Sequence, residues 1–194
     1  MKHSILLLLV MSAALFSYGC EKIDPRTESV NDLETASLKA AKVKVEFTGK
    51  CEPSGLPDID EGVTQLLPNG KTKQSGIIVK WYDTASDPLV SGYTIWYESI
   101  TWDGAPFASN GKMWGKTELL VDDPDNADRD APHTGLWEMT WHGSISVTPD
   151  GNLLAYCDVV GQGKEGVVKG LTAKWTYSLD MSKGFYYAFT GYYK

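Results

Sequence analysis

Three observations in this 194-residue chain predict an all-β fold, an eight-stranded antiparallel up-and-down barrel preceded by a signal peptide and a flexible tether. Beyond residue 42, apolar and polar residues alternate with a period of two in one segment after another, the pattern of a half-buried strand. Turn signals separate these segments at short intervals. Helical periodicity is scarce in the same region, and all seven tryptophans lie beyond Val79, where large rings need a sheet to sit on.

The elements follow in order. Residues 1–19 have the layout of a secretory signal, with a basic start at Lys2, an apolar run from Ile5 to Phe16 and small residues before a cleavage point. That run is far shorter than the roughly 20 residues needed to cross a bilayer core. Residues 20–41 are polar, charged and nearly free of aromatics, the composition of a mobile tether reaching roughly 25 Å; a short helix over 31–41 is the alternative. The barrel domain spans 42–194. Its first strand alternates Val43, Val45 and Phe47 with Lys42, Lys44 and Glu46. The same odd-numbered apolar phase recurs at Ile77, Val79 and Trp81, at Met113 to Leu119, at Trp137 to Ile145, and at Leu171 to Tyr177. Less one-sided strands are expected near 90–102, 153–161 and 185–193, which makes eight. Turns are expected at Pro68-Asn69-Gly70, Asp103-Gly104, Pro149-Asp150-Gly151 and from Gly161 to Gly166. Eight sequential antiparallel strands with one apolar face close into a barrel or pack as a sandwich.

Ser17-Tyr18-Gly19-Cys20 closes the signal. With a cysteine directly after Gly19, the stretch resembles a bacterial lipoprotein signal, although Ser17 and Tyr18 depart from the leucine and small residue usual there. The resemblance implies cleavage before Cys20 and lipidation of its thiol. Each buried methylene then contributes about 0.8 kcal/mol, and more than one acyl chain gives lasting membrane attachment. Glu21 stands where the inner-membrane retention signal has aspartate. The expected address is therefore the bacterial cell envelope, lipid-anchored, at the outer membrane, with the membrane as partner through the anchor.

Cleavage would leave 175 residues, enough for one domain with a core and a tether. It removes one basic residue and no acidic ones, so the net charge moves from −7 to −8. That sign argues against nucleic acid as a partner. Beyond Cys20, only Cys51 and Cys157 remain. In an oxidising compartment they are a candidate disulfide contributing on the order of 4 to 5 kcal/mol; two buried free thiols are the other reading.

Residues 135–179 carry glycines and a tryptophan at Gly135, Trp137, Gly143, Gly151, Gly161, Gly163, Gly166 and Gly170, with Glu165 before Gly166. This spacing resembles the closing strands of the allene oxide cyclase and dirigent-like barrels. The resemblance covers about a quarter of the chain and implies a calycin-like barrel at the level of fold. It transfers no catalytic residue, because the upstream polar positions of the cyclases have no counterpart here.

Several chemistries find no support. Gly161-Gln162-Gly163-Lys164-Glu165-Gly166 matches G-x-G-x-x-G, but the following Val167 to Tyr177 is β-branched and aromatic, so no helix N-terminus is available for a pyrophosphate. Asp122 to Asp130 holds five carboxylates, yet Ala127 interrupts the spacing of a calcium loop and no glycine follows it. His133 and His142 are the only histidines beyond the signal, and no metal or other cofactor is expected. Glu138 and His142 share a strand face but stand roughly 13 Å apart, too far for a hydrogen bond. Ser144 lacks the surroundings of a nucleophile elbow.

The remaining feature is the odd face. Trp81, Met113, Trp137, Met139, Trp141, Trp175 and Tyr177 are expected to converge inside the barrel, either as core or around a small apolar or aromatic ligand. A non-enzymatic binding module is the leading expectation. Two alternatives remain: a surface glycan- or protein-binding module using Trp96, Trp102 and Trp114, which lie in the opposite phase, and an isomerase or cyclase with polar groups at the barrel mouth.

Overall fold

The structure is a computed structural model that describes residues 43–52, 58–123, 132–183 and 187–194. The expected signal, Cys20, the expected tether and most of the acidic segment from Asp122 to Asp130 lie outside these residues. Among the described residues there are ten strands: β1 (Val45–Glu52), β2 (Asp58–Asp60), β3 (Val63–Leu66), β4 (Thr72–Ala85), β5 (Gly92–Trp102), β6 (Gly111–Val121), β7 (Gly135–Val147), β8 (Leu153–Gly166), β9 (Thr172–Asp180) and β10 (Tyr187–Tyr193). All pairings are antiparallel. Strands β4 to β10 pair in sequence, β10 pairs with β1, and β1 pairs with β4 to close an eight-stranded up-and-down ring. The closing contact is short, from Gly49 opposite Ala85 to Glu52 opposite Tyr82. The rest of that edge of β4 is taken by β2, opposite Ile78 to Lys80, and by β3, opposite Thr72 to Ser75. These two short strands were not visible in the alternation pattern, and β4 begins five residues before Ile77.

The interior is filled by matching large side chains to glycines. Gly115 faces Trp141, Gly163 faces Trp137, Gly191 faces Trp175 and Gly49 faces Phe189. An eight-stranded barrel leaves an interior just wide enough for side chains, so each ring fits only where its neighbour has none. One end is sealed. A 3-10 turn at Pro88–Val90, started by the Asp87 side chain, places the Leu89 carbonyl 2.7 Å from Trp137 Nε1, which donates to it. Tyr193 donates to Asp87 at 2.9 Å, and Val168 from the β8–β9 turn is fully buried beneath.

Two expectations are corrected. Trp96 and Trp102, expected on the outer face, are only 2% and 0% exposed; Trp114 is at the surface, 42% exposed. The reason is register: on β4 and β5, Val79 faces Trp96, so an odd number pairs with an even one and β5 turns its even residues inward. A bulge at Ser75 to Ile77, with Gly76 at φ +73°, likewise switches the inward phase of β4 from even to odd. The second correction concerns Gly161 to Gly166, which is not a turn. Gly161 and Gly163 lie within β8 and face Met139 and Trp137, a bulge falls at Lys164, and the turn follows at residues 167–170.

Packing against glycine gives a direct test. A Cβ at Gly191 would sit 2.2 Å from Trp175 Cβ, whereas one at Gly104 meets nothing closer than 3.4 Å. Gly191→Ala is expected to lose about 1 to 3 kcal/mol of stability in urea unfolding, and Gly104→Ala to stay within about 0.5 kcal/mol of the parent.

Candidate functional site

The half of the barrel away from the sealed end contains a cavity of about 330 Å³. Its wall is built from inward positions of β4 to β6 (Ile77, Val79 and Trp81; Glu98, Ile100 and Trp102; Met113) and from Ile145, Ala155, Leu179 and Tyr187 of the later strands. Here the inward side chains are mostly aliphatic and small, and the rings thin out, so space remains. The mouth is edged by Ile59 and Glu61 from the β2–β3 region and by Phe107 from the β5–β6 loop. Phe107 is 63% exposed and has φ +61°, a left-handed backbone that costs a non-glycine residue about 1 to 2 kcal/mol. That conformation brings its ring to 5.2 Å from Trp102. Gln74 fastens the same wall: it accepts from Trp102 Nε1 at 3.3 Å and donates to the Glu61 carbonyl at 3.1 Å.

All seven residues expected inside the barrel are there, but they divide. Trp81 and Met113 line the cavity, while Trp137, Met139, Trp141, Trp175 and Tyr177 are buried in the filled core. Glu138, His142 and Ser144 stand on the outer surface. Among the described residues, no three His, Cys, Asp or Glu side chains come together to hold a metal.

Two carboxyls inside the barrel escaped the sequence reading. Glu98 lies on β5 between Trp96 and Ile100 and lines the cavity; burial alone pushes its carboxyl up to about 7. Asp83 lies two residues beyond Trp81 and is fully buried. It accepts hydrogen bonds from Cys51 Sγ at 2.9 Å, Thr94 Oγ1 at 2.8 Å and Tyr177 OH at 2.7 Å. Burial raises it to about 6, against the lowering effect of those three bonds. The available signal was the odd phase of β4, which runs on from Trp81 to Asp83; the even phase of β5 that places Glu98 inside depends on register.

The candidate disulfide is also corrected. Cys51 and Cys157 are free, buried thiols. They sit on β1 and β8 with β10 and β9 between them; at about 4.8 Å per strand the span exceeds the roughly 7 Å that a disulfide bridges. The Cys51 thiol is bound to Asp83, and Cys157 donates to Met113 Sδ at 3.8 Å. Burial pushes both thiols up, Cys157 to about 12, so neither is an activated nucleophile.

Comparison of the chain with protein-family models, with curated proteins and with solved structures gives no match. The site must be read from its own geometry.

The raised carboxyls set a pH dependence. Asp83 moves from 3.8 to about 6 on folding, so the folded state keeps a proton that the unfolded state has released. Its contribution is therefore full below about pH 4 and is lost as pH rises through about 6. A shift of about two units corresponds to about 3 kcal/mol. Glu98 acts in the same direction up to about pH 7. Urea unfolding followed by tryptophan fluorescence is expected to show stability falling from pH 4 to pH 7, and Asp83→Asn to make that fall shallower, leaving the share that Glu98 contributes.

Proposed function

We propose that this chain is a lipid-anchored protein of the bacterial envelope whose barrel holds a small apolar or aromatic molecule in its open half. The cavity of about 330 Å³ carries the reading. Its volume suits a small organic molecule, its wall is almost entirely apolar, and it opens at one end only, the arrangement of a pre-formed ligand site. The ring-filled half below backs the cavity wall at Trp81, whose ring lies 5.6 Å from that of Trp96. The eight-stranded ring agrees with the calycin-like barrel that the spacing from Gly135 to Gly170 implies. The anchor rests on Cys20 and the apolar run before it. Of the three rings expected to serve a surface module, Trp96 and Trp102 are interior and Trp114 alone is exposed, which gives that alternative less support than the cavity.

One observation favours a second reading, an isomerase or cyclase. Glu98 is inside the cavity with a carboxyl near 7, which suits general acid–base work at neutral pH. The two readings separate on the fate of the ligand, recovered unchanged from a carrier and converted to an isomer by an enzyme. For the enzyme, Glu98→Gln is expected to stop conversion by at least 100-fold.

Native mass spectrometry of the protein purified from the bacterial envelope is expected to show a bound small molecule released on denaturation. Ala155→Phe, which puts a ring into the cavity wall, is expected to remove it; retention of the same molecule by that variant would place binding elsewhere. Cys20→Ser is expected to move the protein from the membrane fraction to the soluble one, with loss of the acyl mass.

A further inference from the structure

We propose that the ligand is an apolar cation, an aliphatic or aromatic body bearing one ammonium group that pairs with the Glu98 carboxylate. This rests on the carrier reading above and adds the charge of the ligand. The residues lining the cavity include Glu98 in the wall and Glu61 at the mouth, and no lysine, arginine or histidine. A carboxylate or phosphate ligand would bring like charges together where the dielectric is low. Glu98 also differs from Asp83 below it. Asp83 is satisfied by three donors, whereas burial is all that acts on Glu98, with no hydrogen bond among the described residues to offset it. Glu98 is half-buried and faces the cavity, where an ammonium would supply both hydrogen-bond donors and an opposite charge to its carboxylate. The walls add to this. Trp81 and Tyr187, with ring centroids 4.7 Å apart, line the cavity beside Trp102 and Phe107, and aromatic faces attract ammonium groups.

The pairing couples binding to protons. Facing Glu98 are Tyr187 from β10, Cys157 from β8 and, at the mouth, Glu61; β4 and β6 present Ile77, Val79 and Met113. Burial holds the Tyr187 hydroxyl and Cys157 thiol above their ordinary values, so both stay neutral through the range in which Glu98 titrates. Asp83 titrates nearby but does not line the cavity. An ammonium binds the ionised form of Glu98, so its affinity levels off above about pH 7 and falls up to tenfold per pH unit below it.

The test is calorimetric titration of the full chain carrying Cys20→Ser, so that no acyl chain is attached, with octylamine, octanol and octanoate at pH 8. Octylamine is expected to bind at least tenfold more tightly than the other two, and Glu98→Gln to bring it down to the level of octanol. Octylamine affinity is also expected to fall about tenfold between pH 8 and pH 6. Octanol or octanoate binding as tightly as octylamine, or undiminished octylamine binding in Glu98→Gln, would overturn the cation and leave the carrier reading standing. Failure of all three to bind would overturn both. Should Glu98→Gln not fold, the pH profile of the parent decides, and a flat affinity from pH 8 to pH 6 rejects the proposal.

Discussion

The closing pair between β1 and β4 is the constraint on which the rest depends. Only four residues of each strand meet there, yet without them the sheet would have two free edges and no interior. Its weak point is reinforced from within. Cys51 and Asp83 face each other across the seam, and Asp83 gathers Thr94 from β5 and Tyr177 from β9 as well. One buried carboxyl thus ties together four strands. Burying it is costly, and three donors offset part of that cost.

The shortness of the seam also decides where the cavity lies. Where β1 stops, the edge of β4 is finished by β2 and β3, whose connection contributes Glu61 to the mouth. In the other half, the sealing turn at Pro88–Val90 and the pairing of rings with glycines leave no room. The barrel is therefore two structures in one wall, a packed floor and an open chamber, and the boundary runs through Trp81 and Trp96.

Much of this was legible from residue order, and the failures share one cause. Alternation found all eight strands of the ring and the inward face of β1, β6, β7 and β9, because inward positions there keep one parity over long runs. It failed where parity changes. Gly76 shifts β4 by one residue, and the β4–β5 register inverts β5, so Trp96, Glu98 and Trp102 were assigned to the wrong face or passed over. Gly161 and Gly163 read as punctuation because an absent side chain looks the same in a turn as opposite a tryptophan. The short strands β2 and β3 carry exposed residues on both sides and leave no periodic trace. Cys51 and Cys157 made an even pair by count, but the ring order that separates them is a property of the whole topology.

The topology has a kinetic side. β1 is held by β4 on one edge and by β10 on the other, with Val45 opposite Tyr193. The earliest strand of the barrel therefore waits for the last before its ladder is complete, and every partial chain exposes an unpaired edge and a half-built row of rings. Folds dominated by such distant pairings form in milliseconds to seconds. A ribosome delivering about 5 to 20 residues per second holds the barrel open until β10 has emerged, and until then the chain depends on whatever shields its edges.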